Sequence, residues 1–206
     1  MFPDLLKTVE RISQVQVSSD RLLLLNPLQT YIQAKLDVQQ PINLNFICTH
    51  NSRRSHLAQI WAQTLAWYFK IPQVFCFSGG TEATAMFPKI AETLEYQGFN
   101  IQQLLEAPNP VYAVKFDAVA HPVICFSKEF GNPFNPASGF AAILTCDHAS
   151  ETCPFVPGAE ARFPITFQDP KAFDQSPLQT EKYRERSLEI AGELFQVFSN
   201  LKTKNQ

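Results

Sequence analysis

The stretch Ile42-Asn43-Leu44-Asn45-Phe46-Ile47-Cys48-Thr49-His50-Asn51-Ser52-Arg53-Arg54-Ser55 decides how the rest of the chain is read. Its first six residues form an apolar run that predicts a strand, and the segment from Ser55 to Phe69 carries apolar residues at helical spacing. Cys48 therefore closes a strand, and the turn after it opens a helix. Arg54 follows six positions on, giving the pattern Cys-x5-Arg-Ser. The backbone N–H groups of such a turn can converge on an oxyanion, with the helix N-terminus behind them. The turn reads as an anion cradle with a thiol at its floor.

The residue types suit that chemistry. A thiol is a good nucleophile only as a thiolate, and a helix N-terminus with a nearby guanidinium can lower a thiol pKa to ~3.5 to 7.5. Arg54 can fork two hydrogen bonds onto an oxyanion. Ser55 can donate a hydroxyl hydrogen bond to the thiolate, and Asn51 can hold the tight loop by bonding neighbouring backbone. The bland alternative is a buried strand-end cysteine before an ordinary basic helix start.

Working outward, Leu57, Ile60, Trp61, Leu65 and Tyr68 predict a helix with one buried stripe, its tryptophans and tyrosine in the core. Val74 to Phe77 predicts a buried strand, followed by the loop Ser78-Gly79-Gly80-Thr81-Glu82. Phe87-Pro88-Lys89 opens a helix through about Tyr96, which Gly98 stops. This alternation predicts an α/β fold, a parallel sheet with helices on both faces. Ligands of open sheets bind at the carboxyl ends of the strands, where Cys48 falls.

Residues 1–40 predict a helical extension, with Leu5, Leu6, Val9 and Ile12 on one face and Asn26-Pro27 capping a second helix before Leu28, Ile32 and Leu36. The core is expected over 42–201, with an inserted strand and loop region at about 108–140 holding one or two extra strands, antiparallel at an edge. Asp117 and His121 read there as turn residues, and the loop from Phe130 to Phe140 as a segment able to gate substrate. A strand from Phe140 to Thr145 leads to Cys146-Asp147-His148-Ala149-Ser150-Glu151-Thr152-Cys153-Pro154. Pro164 to Phe167 predicts a strand ending in Asp169-Pro170, and an amphipathic helix runs from about Gln179 to Leu201, before a tail expected to fray.

With 206 residues, 45% hydrophobic and 18 Phe, the chain can bury a full core, and 1–206 is read as a single domain. The formal net charge of -2 provides no basic field for nucleic acid, so Arg53 and Arg54 read as local anion chemistry. No stretch reaches the ~18 apolar residues of a membrane span, and Leu22 to Leu25 lacks the order of a secretion signal. A cytoplasmic protein is expected. Five cysteines, an odd number, fit a reducing compartment better than a static disulfide framework. Cys76 and Cys125 read as small buried hydrophobes, and no Cys-x2-Cys or His-x3-His pairing suggests a metal.

Cys48-Thr49-x-Asn51-Ser52-x-Arg54-Ser55 resembles the phosphate loop of the low-molecular-weight protein tyrosine phosphatase scaffold, particularly its thioredoxin-coupled arsenate reductase branch. The resemblance runs from about Leu44 to the C-terminus, interrupted at about 108–140, and takes in the Ser78 to Glu82 turn. His50 stands where the family commonly has Gly, and Arg53 where it often has Cys. A positive φ at position 50 would suit His less than Gly.

The resemblance implies the roles of the remaining residues. The loop residues Thr49, His50, Asn51, Ser52, Arg53 and Arg54 would bind the oxyanion, through backbone N–H groups and the Arg54 side chain, and no cofactor would be needed. The arsenate reductase branch places two resolving cysteines at the spacing of Cys146 and Cys153 and follows the second with Pro. The scaffold's matching Asp-Pro supplies a general acid, which assigns that role to Asp169. Gln168 removes a second acid that the reductases often carry, and Lys171-Ala172 replaces the aromatics that phosphatases carry there, which favours a small inorganic substrate.

The leading expectation is reduction of arsenate: Cys48 attacks arsenic, Cys146 and Cys153 pass the disulfide on, and thioredoxin reduces it. A helix over 146–153 would hold its end Cα atoms ~10 Å apart, against the ~4.4 to 6.8 Å of a disulfide, so this segment would have to uncoil. A phosphatase acting on phosphotyrosine or small phosphate esters through a phosphocysteine is the second reading. A non-catalytic oxyanion or redox sensor is the third.

Overall fold

The computed structural model describes residues 1–152 and 155–203. The element order is α1 (Pro3–Ile12), α2 (Ser19–Asp37), β1 (Ile42–Cys48), α3 (Arg54–Tyr68), β2 (Val74–Gly80), α4 (Pro88–Tyr96), β3 (Asn100–Leu105), β4 (Val111–Lys115), β5 (Val123–Cys125), β6 (Phe140–Leu144), α5 (Asp147–Thr152), β7 (Ala159–Pro164), a 3-10 turn (Pro170–Phe173) and α6 (Gln179–Ser199).

Four of the strands form a parallel sheet in the order β2-β1-β6-β7. Side chains alternate across it, as the period-2 geometry of a strand requires. Ala141 and Ile143 of β6 join the large core with α1, α2, α3 and α6, whereas Phe140, Ala142 and Leu144 face a smaller cluster that includes Cys48, Cys146, Ala149 and Val156. The sheet is flanked by helices, and among the described residues only the short α5 contributes a helix to the smaller cluster. Helix α3 is buried from Ser55 to Ala62, because β1 and β2 lie on one side of it and α6 on the other.

The structure departs from the sequence reading at four places. Ser18 caps α2, accepting from the Arg21 N–H, and the helix continues through Pro27. Proline costs a helix the hydrogen bond to the carbonyl four residues back, here that of Leu23, a residue 68% exposed, so water can serve the freed oxygen. Leu6, Trp67 and Tyr68 lie on the surface, not in the core. The extra strands do not extend the main sheet: β4 pairs antiparallel with β3 on one side and β5 on the other in a separate three-stranded sheet. The strand before Asp169 ends at Pro164, where the Ile165 N–H bonds back to the Phe163 carbonyl and breaks the ladder.

Candidate active site

The loop after β1 folds so that its carbonyls point away from the cup. The Cys48 carbonyl accepts from Thr81 N–H at 3.1 Å, that of Thr49 from Glu82 N–H at 2.9 Å, that of Ser52 from Phe87 N–H at 3.0 Å, and that of Arg53 from Leu57 N–H at 3.1 Å. The His50 carbonyl accepts from the hydroxyls of Ser127 at 2.9 Å and Thr84 at 3.1 Å. No acceptor among the described residues takes the backbone N–H groups of Thr49 to Arg53. A peptide whose oxygen is tied outward presents its N–H inward, so the turn offers a nest of donors of the kind that binds anions. The positive φ sits at Asn51 (φ 44), not at His50, and Asn tolerates it better than most residues.

Cys48, 4% exposed, lies at the floor with its Sγ 3.1 Å from the Ser55 Oγ. Asn51 engages the same hydroxyl. Its Oδ1 accepts the Lys128 backbone N–H at 2.9 Å, which turns its Nδ2 to donate to Ser55 Oγ at 2.8 Å. With a lone pair so occupied, the Ser55 hydroxyl hydrogen is free to point at sulfur.

Arg54 lines the wall. One terminal nitrogen donates to the Phe167 carbonyl at 2.8 Å and the other to Asp169 Oδ2 at 2.5 Å, while its buried Nε has no partner among the described residues. Asp169 Oδ1 accepts from the Lys171 N–H at 3.0 Å, so both carboxylate oxygens are engaged. The Phe167 N–H bonds the Thr145 carbonyl at 3.2 Å, which lays the segment after β7 alongside the loop and carries Asp169 over the cup.

Arg53 and His50 border the cup, but their side chains have partners outside it. Arg53 turns its guanidinium away, donating to Tyr183 at 2.6 Å and to Asp174 at 2.6 Å and lying 4.1 Å from the Phe87 ring centre, so its side chain is a strut under the loop. Burial disfavours the Asp174 charge, yet hydrogen bonds from Tyr183 and Gln179 and the Arg53 guanidinium hold its carboxyl below the usual range. His50 lies at the rim, 3.6 Å from the Glu82 carboxylate.

Cys146 belongs to the same buried cluster as Cys48, and its Sγ lies 3.5 Å from the Thr49 hydroxyl. Parallel pairing explains the meeting: Ile47 stands opposite Leu144, so the chain leaves β1 and β6 at one edge of the sheet. Cys146 precedes α5, and its sulfur accepts the Ala149 N–H at 3.4 Å. Cys153 and Pro154 lie outside the described residues. Burial pushes the thiols of Cys76 and Cys125 well up, the environment of inert core cysteines.

The cup is small and lined by Cys48, Thr49, His50, Ser52, Arg53, Arg54 and Asp169, with no aromatic side chain among them. A larger cleft beside Leu36, Phe69, Lys70 and Gln73 lies by the start of β1 and contains no cysteine. No group of three or more His, Cys, Asp or Glu side chains that could hold a metal occurs among the described residues. No described helix is long and apolar enough to cross a membrane. Sequence reasoning missed Thr84, Asn109, Ser127 and Lys128, which hold the loop from behind. They are polar residues in loops or at strand ends, with no spacing to mark them.

The strand order and the site at the carboxyl end of β1 define the fold of the low-molecular-weight phosphatases. The phosphotyrosine phosphatase of this type from Vibrio cholerae matches with a TM-score of 0.50 at 14% identity, over 77% of this chain and 95% of that one. An arsenate reductase in the phosphate-binding state matches with a TM-score of 0.48 at 17% identity, over 78% and 99% of the two chains. The arsenate reductase of Archaeoglobus fulgidus gives 0.46 at 17% identity, over 76% and 99%. No family model matches the sequence, and no curated protein matches it.

Proposed function

We propose that this protein is a cysteine-dependent enzyme that reduces arsenate. The observation that carries the choice of reaction is the second thiol, Cys146, seated against the loop that holds Cys48. The oxyanion binds the inward N–H groups and the unpartnered Nε of Arg54. It also takes the Arg54 donor now spent on Asp169, which frees that side chain to carry a proton. The Cys48 thiolate attacks arsenic and an oxygen leaves as water with the proton from Asp169. The Cys146 thiolate then attacks the Cys48 sulfur: an S–S bond forms, the S–As bond breaks, and its electron pair reduces arsenic to arsenite. Cys153 attacks Cys146, releasing Cys48, and a dithiol donor of the thioredoxin type reduces the 146–153 bond by exchange.

The absence of aromatic side chains from the lining supports an inorganic substrate over an aryl phosphate. Hydrolysis of a phosphate ester is the second reading, supported by Cys48, Arg54 and Asp169, which are the groups a phosphocysteine route needs. Thioredoxin-dependent NADPH consumption on adding arsenate, with Cys153→Ser as control, tests the choice. Turnover lost in the variant is expected. A fully reduced, folded protein that leaves arsenate untouched but hydrolyses an aryl phosphate would move the assignment to phosphatase.

A further inference from the structure

A segment of the 108–140 insert, Ser127 and Lys128, reaches the loop from behind. Asn109 and Ser127 exchange two hydrogen bonds, the Asn109 Nδ2 donating to the Ser127 carbonyl at 2.7 Å and its Oδ1 accepting the Ser127 N–H at 3.1 Å. Ser127, 1% exposed, is thereby fixed at its backbone. Its hydroxyl accepts the Thr84 N–H at 2.8 Å, which directs the hydroxyl hydrogen onto the His50 carbonyl at 2.9 Å. The next residue, Lys128, gives its backbone N–H to Asn51 Oδ1 and its carbonyl to the Gly80 N–H at 2.8 Å. Its side chain is an anchor, with the ammonium buried 4.3 Å from the Phe126 ring centre and 5.2 Å from that of Phe134. Burial lowers this lysine to about 8.

These contacts act on both parts of the site. Turning the His50 carbonyl outward leaves the next N–H, that of Asn51, facing the cup. Fixing the Asn51 amide occupies one lone pair of the Ser55 hydroxyl and leaves its hydrogen free for the Cys48 sulfur. A freed His50–Asn51 peptide could rotate and set a carbonyl oxygen against the anion.

We propose that Ser127, held by Asn109, is a positioning residue for the oxyanion cradle, so that the insert is a clamp that keeps the Cys48 loop in its anion-binding conformation. The proposal rests on the reading of residues 48–55 as an oxyanion site. It goes beyond that reading by making the site depend on a segment that touches no substrate.

The test uses the full chain, reduced, and follows iodoacetamide labelling of Cys48 by mass spectrometry against rising inorganic phosphate. Wild type, Ser127→Ala, Asn109→Ala and Ser127→Thr are compared well below their melting temperatures. Loss of one buried hydrogen bond should raise the protecting phosphate concentration roughly three- to tenfold in each alanine variant, and the hydroxyl of Ser127→Thr should restore it. Asn109→Ala, a partly exposed change, carries the test if Ser127→Ala does not fold. Alanine variants protected at the wild-type phosphate concentration would overturn the clamp, even if their melting temperatures fell. Wild-type Cys48 that phosphate never protects would instead overturn the oxyanion site itself.

Discussion

At the residue scale, two adjacent arginines divide the work in a way their neighbouring numbers do not suggest. Arg54 lines the cup and keeps a buried Nε with no partner among the described residues, whereas Arg53 is tied up with Tyr183, Asp174 and the Phe87 ring. Arg54→Lys keeps a charge but loses the planar fork, and a fall of about 10²- to 10³-fold in turnover is expected, as for other lost transition-state donors. Arg53→Ala should lower thermal stability and leave phosphate protection of Cys48 within about threefold below its melting temperature, on the scale of one lost hydrogen bond. Equal loss of anion binding in both variants would contradict this division. Asp169→Asn should cost about 10²- to 10⁴-fold in turnover if Asp169 gives up the proton.

At the element scale, the loop is fixed by the strand beside it. Gly80 ends β2, and a Cβ there would lie 2.4 Å from the Glu82 carbonyl oxygen, 2.5 Å from that of Thr49 and 2.7 Å from the Asn51 nitrogen. All three are backbone atoms, so none can rotate away. Gly80→Ala should therefore disturb the cradle and weaken phosphate protection of Cys48, while Gly131→Ala, with nothing within 4 Å, serves as the matched control. Equal protection in the two variants would show that the turn yields without cost. Helix α5 carries a second prediction: it begins directly after Cys146 and runs to Thr152, and a helix carried on to 153 would hold its ends too far apart for a disulfide, so the proposed relay is expected to unwind it. Faster amide exchange over 147–152 in oxidised protein than in reduced protein is expected, and identical exchange would remove the disulfide relay's conformational step. The loop from Phe130 to Phe140 lies along β2, where the Asn135 amide donates to the Ser78 carbonyl at 3.0 Å, and none of its residues is among those lining the cup.

At the scale of the whole molecule, His56 links stability to pH. It is wholly buried, its Nε2 has no partner among the described residues, and burial first, then the Lys128 charge, lowers it to about 3. In the unfolded chain a histidine titrates near ~6.5. Between those values the unfolded state binds a proton that the folded state refuses, so stability is complete above ~6.5 and lost as pH falls toward 3. The melting temperature should accordingly be level near neutrality and fall through that window, with a contribution of at most ~1.4 kcal/mol per pH unit from this residue. His56→Gln should flatten that part of the profile. An unchanged acid slope would assign it to the carboxylates.

What the sequence determined was local. The Cys48 to Ser55 turn, the flanking strand and helix, the α4 start at Pro88 and its end before Gly98 are set by patterns within a few residues, where hydrophobic spacing and turn chemistry act directly. The parallel sheet followed because alternating strands and helices can bury their apolar faces in few ways. Tertiary structure decided what lay between distant segments. It turned Arg53 toward Tyr183, assigned β4 and β5 to their own sheet with β3, brought Cys146 to Thr49, and set Ser127 against the His50 carbonyl. A side chain's hydrogen-bond partner is fixed by which polar groups are buried beside it, and residues 77 apart in the chain, as His50 and Ser127 are, share no local pattern that could announce their meeting.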